Sequence, residues 1–234
     1  MMGYEARRNA MVESQLRPNE VTDIGLLTAM RSLPRERFVP EALQGLAYMD
    51  EDIQVLPARE GGAARFLLSP MVQARLIQLA EITAQETVLD LGCATGYSTA
   101  ILARLAAHVV GVEPEPALAE TARSNLRVLG LANVDIIAGS LTEAPASPEK
   151  GHEKGHGPYD VIVIEGSVPK VPEGVLAQLK EGGRLIAVLT RAPNMRQGKA
   201  YLFVRVDGEA RGVAQFDAGA SPLPGFAPAP TFTF

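Results

Sequence analysis

Thr87-Val-Leu-Asp-Leu-Gly-Cys-Ala-Thr-Gly-Tyr-Ser-Thr99 is the stretch from which the rest of the chain is read. Val88, Leu89 and Leu91 predict a short buried strand with Asp90 at its carboxyl end. Gly92 and Gly96 permit a tight turn and let backbone approach a ligand closely. From Tyr97 to Leu105, small and apolar residues recur at helical spacing. A strand, a glycine turn and a helix in this order place backbone N–H groups where a nucleotide-like ligand can lie. The plain alternative is a strand–helix turn that holds nothing.

The residues around the turn narrow the ligand. A hydride-transfer domain wants G-x-G-x-x-G, and the corresponding places are Gly92, Ala94 and Tyr97, the last far too bulky for close helix–strand packing. Asp90, two residues before the first glycine, suits a ligand with a cationic end. A second acid, placed about twenty residues on to accept ribose hydroxyls, is supplied by Val109-Val-Gly-Val-Glu113. The Asp90-x-Gly92-x-Ala94-x-Gly96 run resembles the first motif of class I S-adenosylmethionine methyltransferases, whose usual form has glycine where Ala94 stands.

Composition bounds the class. The chain has 234 residues, 47% hydrophobic and 21% charged, which suits one large globular domain or a domain with an extension. A net charge of −5 argues against a nucleic-acid partner held by a basic surface. A single cysteine excludes an internal disulfide and points to a reducing, cytoplasmic home. Cys93 reads as a small buried residue, since no histidine lies near it in sequence. One cysteine and three scattered histidines make no zinc site. No apolar run of signal-peptide or membrane-spanning type is visible, so no membrane partner is expected.

Taken in order, residues 5–17 predict a helix with Ala6, Ala10, Met11 and Leu16 inward, and Thr22 or Asp23 caps a second, with Ile24, Leu27 and Met30 as its core stripe. Pro34-Arg-Glu-Arg-Phe-Val-Pro40 breaks that helix. Residues 41–67 read as irregular, with a short strand at Val55-Leu56 and a loop at Gly61-Gly62. Pro70 opens a third helix carrying Val72, Leu76, Ile77 and Leu79. From Thr87 strands and helices alternate, which implies a parallel sheet with helices on both faces. Glu115 to Leu129 is helical, Val134–Ala138 and Tyr159–Ile164 are strands, Val175–Leu179 a short helix and Arg184–Thr190 a strand. Ala200–Val206 and Arg211–Phe216 form a hairpin across Asp207-Gly208. A polar loop fills residues 144–158, and its His152 and His156 point only faintly to metal. The proline-rich tail from Ser221 reads as extended or disordered.

Several blocks together resemble the protein-L-isoaspartate O-methyltransferases over most of the chain. They are Met11-Val12 with Gln15-Leu16, Pro34-Arg-Glu-Arg-Phe-Val-Pro40, Ala47-Tyr48-x-Asp50, the Leu-Asp-Leu-Gly turn, Tyr159-Asp160, and Gln178-Leu179-Lys180-x-Gly182-Gly183. The resemblance implies a Rossmann-like class I methyltransferase sheet, mostly parallel, with a C-terminal antiparallel hairpin and an N-terminal helical extension. It divides the chain into residues 1–70, 71–220 and a tail, 221–234. S-adenosylmethionine is the implied cofactor, with Asp90, Gly92, Cys93, Ala94, Gly96, Glu113 and Ser140 as its contacts. The implied substrate is a protein or peptide carrying isoaspartyl residues; the oligomeric state is not legible, and no catalytic residue is assigned.

Three departures bear on that reading. The family's Thr-Ile-Ser-x-Pro block is Phe66-Leu67-Leu68-Ser69-Pro70 here, so Leu68 takes the place of the serine regarded as catalytic and Ser69 stands one position off. The glycine-rich segment before it is replaced by Arg59-Glu-Gly-Gly-Ala-Ala-Arg65. Gly139-Ser140-Leu141 lacks the acid of the family's Gly-Asp-Gly. Arg59 and Arg65 read either as contacts for an anionic acceptor or as solvated surface arginines, and Glu165 either as a site residue or as a strand-end acid in water. A different acceptor, or a cofactor-binding module without turnover, are the alternatives that these departures leave open.

Overall fold

Valine and leucine facing opposite ways on β3 (Thr87–Leu91) divide the molecule into two apolar layers. Val88 faces one core with Val109, Val161, Val163, Ile186 and Val188; Leu89 and Leu91 face the other with Val110, Val112, Ile162, Ile164 and Leu185. That is the period-two logic of a strand buried on both faces. The structure, a computed structural model, describes residues 3–60, 62–143, 157–193 and 195–226.

Around β3 the sheet is built in the order β5 (Val134–Ala138), β4 (His108–Glu113), β3, β6 (Tyr159–Val168), β7 (Leu179–Leu189), β8 (Gln197–Val206) and β9 (Glu209–Gly219). β4, β5, β6 and β7 run parallel to it, whereas β8 runs antiparallel to β7 and β9 antiparallel to β8. The chain leaves β3 toward β4 and β5 and returns on the other side at β6. A crevice therefore forms beyond the carboxyl ends of β3, β4 and β6, the topological switch point of such sheets. Asp90 pairs with Gly111 on one side and Val163 on the other, which sets the end of β3 between the end of β4 and the stretch of β6 around Ile164.

The N-terminal helices belong to the first of the two cores. α1 (Tyr4–Met11) continues through a looser turn over Val12–Leu16, and α2 (Ile24–Ser32) is capped by Asp23, whose side chain accepts from Leu26 N–H. Met11, Leu16, Leu27 and Met30 are buried as their spacing predicts, but Ala6 and Ala10 are exposed and Ile24 is 79% exposed. Ile24 stands at the first position of its helix, where the chain has not yet turned inward. Leu26 and Ala29 take the inward places.

Two further elements differ from expectation. Residues 41–67 are more ordered than a loop: β1 (Ile53–Leu56) pairs antiparallel with β2 (Arg65–Leu67), and β2 carries the chain into α3 (Pro70–Leu79). At its other end, β6 runs past Ile164 to Val168, where Ser167 bridges in parallel to Pro222 of the tail. Ser221, Leu223 and Phe226 are buried, so this part of the tail is packed, because the second core reaches the chain surface beside β6 and offers an apolar seat. α4 (Tyr97–Ala103), α5 (Pro116–Val128) and the short α6 (Glu173–Leu176) complete the layers. The expected loop at 144–158, with its histidines, lies almost wholly outside the described residues. Among the described residues no helix is long and apolar enough to cross a membrane.

Candidate cofactor site

The turn after β3 has the backbone shape its glycines predict. Gly92 and Gly96 have φ of 88° and 93°, and Ala94 between them sits at 50°, a left-handed position that costs an L-residue free energy where glycine would pay none. Gly92 N–H donates to Val112 O at 2.8 Å, which ties the turn to the tip of β4. Asp90 is buried beneath it, its Oδ2 accepting from Ser98 Oγ at 2.7 Å and Thr99 Oγ1 at 2.6 Å, while Oδ1 has no partner among the described residues. Burial raises Asp90 to about 6, against the pull of those hydroxyls and with help from neighbouring Glu113.

Glu113 is the residue on which the site turns. Its side chain is fully buried, and four donors from the protein converge on it. Arg65 grips it bidentately, Nε to Oε1 at 3.0 Å and Nη2 to Oε2 at 2.8 Å. Ala94 N–H reaches Oε2 at 2.8 Å and Glu115 N–H reaches Oε1 at 3.2 Å. A carboxylate offers about four lone-pair sites, so none is left for a ribose. Arg65 also donates from Nη2 to Gly92 O at 2.9 Å, and the whole side chain is 2% exposed. The reading of Arg65 as a solvated surface arginine is thus overturned, because a buried carboxylate within reach is a far better partner than water for a guanidinium on a short strand. Arg59 does remain largely exposed, paired with Glu115.

The bare face of Gly92 is covered as well. A Cβ placed there would stand 2.6 Å from Leu223 Cδ1 and 3.2 Å from Arg65 Nη2, and one at Gly166 would stand 2.9 Å from Leu223 Cβ. As arranged, these residues do not accommodate S-adenosylmethionine: the carboxylate expected to take its ribose is saturated by the protein's own donors, and the glycine face is occupied by a leucine.

The remaining candidate residues are dispersed. Cys93 is a buried free thiol, pushed well above its ordinary pKa by burial and the nearby acids. Ser140 is exposed and accepts from Thr142 and Glu143 N–H at 3.3 Å, closing a local turn beyond β5, while Leu141 is buried in the second core. Glu165 is buried, not water-facing. Gln73 Nε2 donates to its Oε2 at 2.8 Å, Oε1 has no partner among the described residues, and burial beside Asp90 raises its pKa to about 8. Leu68 is buried in the first core, and Ser69 is the N-cap residue of α3 without a side-chain cap bond.

The Pro-Arg-Glu block and the Tyr-x-Asp block prove to be clamps around this site. Arg35, buried, donates to Ala47 O at 2.8 Å and Leu68 O at 2.6 Å and lies 4.7 Å over the Tyr97 ring. Asp50 and Asp52 accept from Met71 N–H and Ser69 N–H at 2.9 and 2.8 Å, satisfying the open donors at the start of α3. Asp160, by contrast, accepts from Thr87 and Lys180 at the opposite end of the sheet and only holds strands together. Asp52, Gln73 and Leu223 carry no motif signal. Their one trace in the sequence is that Leu223 and Phe226 are apolar residues among prolines.

Comparison with known proteins agrees with these blocks. The family model described as protein-L-isoaspartate(D-aspartate) O-methyltransferase matches residues 6–212. The chain is 36% identical over 180 residues to the protein-L-isoaspartate O-methyltransferase of Methanoculleus marisnigri, covering 77% of this chain and 76% of that one. With the enzyme of that name from Rhodopseudomonas palustris it shares 37% over 177 residues, 75% and 74% of the two chains. A solved protein-L-isoaspartate O-methyltransferase superposes with a TM-score of 0.75 at 25% identity, covering 94% of this chain and 67% of that one. A Plasmodium falciparum structure in complex with S-adenosyl-L-homocysteine superposes with a TM-score of 0.72 at 18% identity, covering 93% and 98%, and supports the fold.

Proposed function

The chain belongs to the protein-L-isoaspartate(D-aspartate) O-methyltransferase family, and from that premise we propose that it esterifies isoaspartyl carboxylates in damaged proteins and peptides. The methyl donor of that family is S-adenosylmethionine. The observation that carries the reading is the match over residues 6–212, which takes in the N-terminal clamp blocks as well as the turn shared by a whole superfamily. In this reading residues 1–70 form the substrate-side extension, 71–220 the donor-binding part and 221–234 a tail. Asp90, Gly92, Cys93, Ala94, Gly96, Glu113 and Ser140 are our donor contacts, for a form of the chain in which Arg65 and Leu223 have left the seat. A reducing, cytoplasmic setting without nucleic-acid or membrane partners suits a chain of net charge −5 with a single buried cysteine.

An isoaspartyl carboxylate, with an ordinary pKa of about 4, is ionised at neutral pH and needs no base to become a nucleophile. Leu68 in place of a serine therefore removes no proton acceptor that the acceptor group requires. It removes a hydrogen bond to a charged group, worth about 1.5–3 kcal/mol. Incubating the full chain with labelled S-adenosylmethionine and matched isoaspartyl and aspartyl peptides tests the proposal. Base-labile ester on the isoaspartyl peptide alone is expected, and ester on neither peptide overturns it. A second reading, a family member that keeps the fold without turnover, is favoured by the saturation of Glu113; it predicts no ester on either peptide from a folded chain.

A further inference from the structure

Two segments far apart in sequence meet over the donor seat, and one side chain ties them together. Asp52 Oδ1 accepts from Ser69 N–H at 2.8 Å, four residues beyond Arg65. Its Oδ2 accepts from Ser221 N–H and Ser221 Oγ, both at 2.7 Å, and from Arg196 Nη2 at 2.9 Å. From that anchor the tail runs along β6: Ser167 N–H donates to Ser221 O and Leu223 N–H to Ser167 O, each at 2.9 Å. Leu223 then presses on Gly92 and Gly166, two residues without side chains, and Phe226 is buried in the second core. Pro222 and Pro224 flank Leu223, which restricts the free segment and lowers the entropy lost when it docks.

We propose that Ser221–Phe226 and Arg65 are a self-closure of the S-adenosylmethionine seat, latched by Asp52, and that the donor binds only when both have withdrawn. The inference rests on the reading of the chain as a user of that donor. Arg65 satisfies the carboxylate that the ribose needs, and Leu223 fills the glycine face that the backbone would offer to a ligand. Both are contributed by the chain itself, so the donor competes with an intramolecular occupant. Its apparent dissociation constant is then the intrinsic one divided by the fraction of open chains. Any substitution that weakens the closure without touching a donor contact raises that fraction.

The test is calorimetric titration of S-adenosylhomocysteine into the parent chain, Leu223→Ala, Asp52→Asn and Arg65→Gln. Leu223→Ala and Asp52→Asn are expected to bind about tenfold tighter than the parent or better, and Arg65→Gln likewise. Should Arg65→Gln fail to fold, because it disturbs a buried carboxylate, the other two decide. Hydrogen exchange on the parent chain at saturating S-adenosylhomocysteine gives a readout that needs no variant, with the Ser221 and Leu223 amides expected to lose protection. Equal affinity of parent and variants, or a bound parent whose Ser221–Phe226 amides stay protected, overturns the closure while leaving the methyltransferase reading intact. No binding by any folded form overturns both.

Discussion

Arg65 and Glu113 form a bidentate ion pair in the interior, with Nη2 to Oε2 at 2.8 Å and side chains 2% and 0% exposed. In a low-dielectric interior, removing one partner leaves an uncompensated charge, which is costlier than never having had the pair. Arg65→Ala is therefore expected to lower unfolding free energy by about 3–5 kcal/mol in urea denaturation. Arg65→Ala with Glu113→Gln should recover part of that loss, since neither position of the pair then carries an uncompensated charge. A double variant whose loss equals the sum of the single ones would show the two side chains to be independent.

Glu165 gives a prediction in pH. Burial beside Asp90 raises it from an ordinary 4.5 to about 8. Arg35, Arg65 and the amide of Gln73 face it as well and pull the other way. Between those values the folded chain holds a proton that the unfolded chain releases, so the contribution of this group is fully present below about 4.5 and is lost as pH rises through about 8. Glu165→Gln keeps the shape without the titration. Its stability relative to the parent should rise from pH 5 to pH 8, read as a thermal midpoint difference at each pH. Parallel pH profiles for the two proteins would contradict the assignment.

Leu68→Ser restores the residue that the family carries. Leu68 is buried in the first core, and replacing it removes apolar volume and introduces a hydroxyl into an apolar site. A loss of about 3 kcal/mol is expected by denaturant unfolding. A neutral result would mean that the segment from Arg65 to Ser69 readily takes up a second arrangement.

The sheet and the strand-tip positions of Asp90 and Glu113 are legible in the sequence because each rests on a local signal. A buried strand is a run of aliphatic residues, a tight turn needs glycine, and an acid at the next strand tip follows from the length of one strand–helix–strand unit. The state of the site is not legible, because it is set by long-range partners. Arg65 lies among glycines and alanines, as a surface arginine would, and its partner Glu113 is 48 residues away. Leu223 lies among prolines that predict an extended tail, and only the tertiary structure shows two bare glycines, Gly92 and Gly166, beneath it. Ile24 fails for a smaller reason: its apolar character matches the stripe of α2, but its place at the helix start points it to solvent.

In the closed form the chain occupies its own proposed donor seat. A crystal structure of the unliganded full chain tests it most directly. Arg65 is expected within hydrogen-bond reach of both Glu113 oxygens, with Leu223 against Gly92. A seat open to solvent, with Arg65 turned outward and the segment from Ser221 lifted away, would contradict it.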